Sequence, residues 1–109
     1  MFEGVDAAHQ GSGKATLVRL DSGEVELRFE DFQVTNGPAL NVWLTSHEFP
    51  RSNQDVLNGE WLSLGPLKGN VGNQAYIIPA DVDLSKYKSV SIWCQPFRVL
   101  FASASLPEA

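Results

Sequence analysis

Apolar residues alternate with polar ones at a period of two, and the alternation is cut about every ten residues by Gly, Asn, Asp or Pro. Val25, Leu27 and Phe29 share one face of a strand while Glu24, Glu26, Arg28 and Glu30 take the other. A period of two is the signature of a half-buried β-strand, and frequent breakers leave room only for short strands joined by turns. The pattern predicts an all-β fold: an antiparallel β-sandwich or jelly-roll-like barrel of about eight strands. With 109 residues the chain fits one domain spanning 1–109, large enough for a single independent core.

The expected strands are Lys14–Leu20, Glu24–Glu30, Asp31–Thr35, Leu40–Thr45, Glu60–Leu64, Ala75–Ile78, Lys88–Cys94 and Arg98–Ala104. Asp21-Ser-Gly23 reads as a tight hairpin turn, because Gly reaches positive φ without steric cost. The inward set changes parity between Glu30 and Asp31, passing to Phe32 and Val34, which calls for a β-bulge or bend. Leu40, Val42 and Leu44 point inward, as do Val90, Ile92 and Cys94, leaving Trp43 and Trp93 on the outward side. After Pro96 the parity flips again, to Phe97, Val99 and Phe101. Helix has one short candidate, Asp83–Tyr87 with Asp83 as N-cap. Ser46–Gly59 is polar and reads as a long mobile loop.

Composition excludes several functions. A net charge of −5 with scattered basic residues does not suit nucleic acid, which requires clustered Lys and Arg. No apolar run approaches the roughly 20 residues of a membrane span. No signal peptide is visible, which leaves a cytoplasmic protein or a mature domain without its leader. Motifs for hydrolases, P-loops and dinucleotide binding are missing, so nothing here marks an enzyme.

Cys94 is the lone cysteine and cannot close an intramolecular disulfide. A thiol is the one side chain here that combines nucleophilicity, redox chemistry and metal affinity. A buried cysteine also serves as a small apolar core residue, and both readings stay open. Any haem or copper site built on it would draw a second partner from His9, His47 or Met1. His47 lies in the polar loop and reads as solvated. Too few ligands exist for a structural zinc site; Asp81 and Asp83 are spaced as a loop that could hold Ca²⁺, with Asp55 or Asp6 as remote helpers, but turn or cap roles account for both. Trp43 and Trp93 offer either an exposed aromatic surface for glycan or protein, or a second small core under a loop.

Long motifs in a consistent order carry a family resemblance. Phe29-Glu-Asp-Phe-Gln-Val-Thr-Asn-Gly-Pro-Ala-Leu-Asn-Val-Trp-Leu44 and Leu64-Gly-Pro-Leu-Lys-Gly-Asn-Val-Gly-Asn-Gln-Ala-Tyr-Ile-Ile-Pro79 resemble the middle of a DM13 domain. Val82-Asp-Leu-Ser-Lys-Tyr-Lys-Ser-Val-Ser-Ile-Trp-Cys94, with Phe97, Val99 and Phe101, resembles its C-terminal strands, and His9-Gln-Gly-Ser-Gly-Lys-Ala15 its start. The resemblance spans roughly Phe2 to Leu106. It implies an extracytoplasmic module, periplasmic, envelope-anchored or secreted, found alone or beside DOMON and cytochrome-type domains. It further implies a part in electron transfer through Cys94, as a bare thiol or as ligand to a prosthetic group such as haem. His9 is the tentative second partner, and redox or cell-envelope proteins are the expected partners. Ala39 departs from the family pattern, standing after Asn-Gly-Pro where an acidic residue is usual, which weakens any cation-binding role for that turn.

Overall fold

Alternation does build the molecule. The computed structural model describes residues 1–106, and their strands form two antiparallel sheets. The strands are β1 (Glu3–Gly4), β2 (Gly11–Arg19), β3 (Val25–Val34), β4 (Leu40–Thr45), β5 (Trp61–Pro66), β6 (Gln74–Ile78), β7 (Ser89–Cys94) and β8 (Val99–Ser105). One sheet runs β1-β8-β7-β4-β5 and the other β2-β3-β6, with no closed barrel. The main core lies between them. Leu27, Phe29, Phe32 and Ile78 from the small sheet meet Val42, Leu44, Val90 and Ile92 from the large one, each at most 1% exposed. Phe2 closes one end, with its ring edge-on to Phe29 and Phe32.

The parity change between Glu30 and Asp31 is a bulge inside one continuous strand, so the two expected strands are a single β3. Ser12 pairs with Gln33 and Lys14 with Glu30, which gives β3 one residue more than β2 across that step. Asp31 takes φ 52° to absorb it, and Gly13 opposite takes φ 110°. A Cβ on Gly13 would come within 2.7 Å of the Phe32 Cα, so only glycine fits there. The eighth strand is instead the two-residue β1, too short for periodicity to reveal.

Ser46–Gly59 departs from the expectation of a free loop. It contains the helix α1 (Asn53–Leu57), capped by the Ser52 hydroxyl, and lies against the outer face of the large sheet. Small hydroxyl residues on that face make the approach possible. Ser89 donates to the His47 carbonyl at 2.6 Å, Ser103 to Pro50 at 2.6 Å and Ser105 to Glu48 at 2.7 Å. Asn53 Oδ1 accepts from the Leu100 amide at 2.8 Å. Loop carbonyls that would otherwise lose water unpaired are thereby satisfied. Phe97 also departs from its inward expectation: it sits at the β7–β8 turn, 69% exposed.

Ser103→Ala strands the buried Pro50 carbonyl and is expected to cost about 1–2 kcal/mol in urea unfolding. Ser12→Ala, on an exposed position of β2, should stay within about 0.5 kcal/mol of wild type. Equal effects of the two would show that the hydroxyl row does not hold the loop.

Candidate functional site

Cys94 ends β7, paired with Leu40 on β4 and Val99 on β8. Strand parity turns its side chain inward as expected, and it is 1% exposed within the main core. Its Sγ donates to the Pro38 carbonyl at 3.2 Å. The cover over the thiol is therefore the turn Asn36-Gly-Pro-Ala39, of which Pro38 and Ala39 face solvent. Ala39 holds the left-handed φ of 48°, costly for a residue with a Cβ. Asn41 fastens the turn: its Nδ2 donates to the Ala39 carbonyl at 2.8 Å, and the same amide reaches Gln95 Oε1 at 3.3 Å. Gly37 lies against Phe101, where a Cβ would sit 2.6 Å from two ring carbons. A cleft of about 280 Å³ opens beside the turn, bordered by Gly37, Ala39, Leu40, Pro66 and Leu67.

His9 belongs to a different local arrangement. Asp6 Oδ1 accepts from the backbone amides of Ala8 and His9 at 2.9 Å each and meets His9 Nδ1 at 2.8 Å. The hydrogen bond from His9 holds the Asp6 carboxyl below its ordinary range, against the opposing effect of desolvation. With Nδ1–H aimed at Asp6, Nε2 is the acceptor in the neutral ring. The His9 ring packs edge-on against Phe101 at 4.6 Å, and no hydrogen bond joins it to Cys94. Phe101 thus bears on both His9 and the Cys94 cover.

Trp43 and Trp93 face away from the main core, but not into solvent. They are 6% and 1% exposed, forming a second core with Val56 and Leu100, against which Val5 and Leu57 pack. Of the two readings of this pair, an exposed aromatic surface or a second small core under a loop, the structure shows the second: α1 and its loop cover both rings. Trp61, which carries no signal in the sequence, is the exposed indole at 42% and stacks on Trp43. Stacked pairs contribute roughly 0.5–1.5 kcal/mol each beyond buried area. Trp43 Nε1 is buried without a hydrogen-bond partner among the described residues, a loss of roughly 1–3 kcal/mol. The two nearly cancel, so stacking alone does not account for tryptophan at position 43.

His47 is half-exposed yet structural. Its Nδ1 accepts from the Phe49 amide at 3.0 Å and its Nε2 lies 3.8 Å from Asp55. The Arg51 amide, donating at 2.9 Å, is the main reason the Asp55 carboxyl sits below its ordinary range, against the opposing effect of desolvation. Asp83 caps the short 3-10 turn Leu84–Lys86 as expected, its carboxyl lowered by Ser85.

Haem ligation by Cys94 needs the sulfur open to the iron and, for a second axial ligand, His or Met nearby. The sulfur is sealed under Pro38, His9 is engaged with Asp6 and Phe101, and Met1 lines a separate cleft with Phe49 and Ser105. The residues present do not fit that group. Among the described residues, no cluster of three or more His, Cys, Asp or Glu side chains is placed to hold a metal ion. A family model described as "Electron transfer DM13" matches residues 2–106. No curated protein and no solved structure matches the chain.

Ala39→Gly relieves the left-handed strain and is expected to raise stability by roughly 0.5–1 kcal/mol in denaturant titration. A loss would mean that the turn is not strained. Because the folded Asp55 pKa is depressed, its contribution is complete above the ordinary value of 3.8 and fades as pH falls through the folded value. Amide exchange at Arg51 and Leu100, corrected for intrinsic rates, should therefore accelerate below about pH 3.8 in wild type and lose that dependence in Asp55→Asn.

Proposed function

The chain belongs to the electron transfer DM13 family, and on that premise we propose an extracytoplasmic redox accessory module with Cys94 as its reactive group. Its thiol is stored beneath the Asn36–Ala39 turn and released to a redox or cell-envelope partner when that turn lifts. The observation that carries this reading is the Sγ contact to the Pro38 carbonyl. A single turn of backbone, anchored at Ala39 by one side-chain amide hydrogen bond, lies over the sulfur. Such segments open at far lower free energy than the core strands around them.

The chemistry open to a lone thiol is intermolecular. Once uncovered, Cys94 loses its proton to water and the thiolate attacks one sulfur of a partner disulfide. A new S–S bond forms, the partner's S–S bond breaks, and the leaving sulfur departs as thiolate. Two-electron exchange of this kind needs neither a metal nor a second cysteine in this chain. His9 acts in this reading through Phe101, by packing on the ring against which Gly37 of the turn rests. An extracytoplasmic setting supplies the disulfide-bearing partners that the exchange requires.

Labelling of Cys94 with an aromatic disulfide reagent under native conditions tests the proposal. The rate should fall well below that of the unfolded chain, yet exceed the rate of global unfolding measured on the same sample. Ala39→Gly, by steadying the turn, should slow labelling roughly two- to fivefold, in line with its gain in stability. Labelling that keeps pace with global unfolding in both proteins would sink the stored-thiol reading and leave Cys94 as a core residue.

A further inference from the structure

Three indoles cross the outer face of the large sheet in one stack. Trp61 on β5 and Trp43 on β4 have ring centroids 5.1 Å apart and planes within 4° of parallel. Trp43 and Trp93 on β7 are 5.0 Å apart at 20°. The direct cross-strand partners of Trp43 are Ser63 on one side and Ser91 on the other. Both are small, so the Trp43 ring leans along the diagonal onto an indole in each neighbouring strand. Exposure falls inward along the stack, from 42% to 6% to 1%.

Two features set this stack apart from ordinary core packing. Indole is among the few side chains that give up a single electron, and coupling between π systems decays exponentially with separation. Three parallel rings in contact therefore form a continuous route from solvent into the sheet. The second feature is the buried Trp43 Nε1, which has no hydrogen-bond partner among the described residues. Native proteins seldom leave a buried donor orphaned, and phenylalanine at this position would pack without that cost.

We propose that Trp61, Trp43 and Trp93 form a one-electron relay whose outer end is the solvent face of Trp61. The relay deepens the electron-transfer reading of the family and does not depend on Cys94. A one-electron oxidant at Trp61 gains one electron and leaves the Trp61 radical cation. Electron transfer from Trp43 to Trp61, and from Trp93 to Trp43, then spreads the positive charge over the stack. No bond breaks in either step. Deprotonation to water would trap the charge on exposed Trp61 as a neutral radical. Trp43 has no proton acceptor, so its ring stays a radical cation and passes the charge on. A one-electron donor at the same surface refills the stack by the reverse sequence. The net charge of −5, and exposed Glu60 next to Trp61, favour a cationic oxidant.

Flash–quench oxidation of the full chain by tris(bipyridine)ruthenium(III), followed by transient absorption, tests the relay. Wild type should reduce the ruthenium and show the indole radical-cation band. Trp61→Phe should slow that reduction by roughly tenfold or more. Trp43→Phe should keep the fast first step but give the neutral-radical band of a trapped Trp61. Should Trp43→Phe fail to fold, wild type against Trp61→Phe still decides. Reduction equally fast in Trp61→Phe, or a neutral radical as the wild-type product, overturns the relay. Cys94→Ala separates the two ideas: it abolishes thiol exchange, while the relay keeps its rate and its spectrum. A change in either on removing the thiol would overturn the independence claimed here.

Discussion

A row of serine hydroxyls on β7 and β8 holds a loop backbone flat against the outer face of the large sheet, and the rest of the architecture depends on it. Ser89, Ser103 and Ser105 each give a proton to a carbonyl of the segment His47–Pro50. Larger side chains in that row would hold the loop away, and apolar ones would leave its carbonyls unpaired. With the loop seated, the large sheet is covered on both sides. Val42, Ile92 and Cys94 then face one core, while Trp43, Trp93 and Leu100 face another.

That double burial separates Cys94 from the tryptophan stack. Cys94 and Trp93 are adjacent in sequence, and strand geometry sends adjacent side chains to opposite faces. The thiol belongs to the inter-sheet core under the Asn36–Ala39 turn, and the indoles to the loop-covered face. One strand thus supplies two oxidisable groups with different routes to solvent. The thiol lies under the Asn36–Ala39 turn, whereas the indoles form a stack ending at Trp61.

How much of this was legible follows the range of each interaction. Alternation marked β3, β4, β7 and β8, and placed the bulge at Glu30–Asp31, because both signals lie within a few residues. β1 was missed because two residues carry no period, and α1 because its five residues are mostly polar. The polarity of Ser46–Gly59 suggested a free loop. Its carbonyls find their partners 42 to 57 residues away, a pairing that no local pattern encodes. Trp61 carried no signal for the same reason, since its role comes from a neighbouring strand.

The sequence by itself determined the all-β class, the inward direction of Cys94 and the family, because periodicity and long ordered motifs are properties of the linear chain. Tertiary structure alone decided what covers each face. It buried Trp43 and Trp93, exposed Trp61 and Phe97, and placed Pro38 over the thiol. It also kept His9 with Asp6 and Phe101, leaving Cys94 without a hydrogen bond to any imidazole. Parity fixes which side of a strand a residue takes, but cover is set by whichever distant segment can satisfy its own backbone polar groups there.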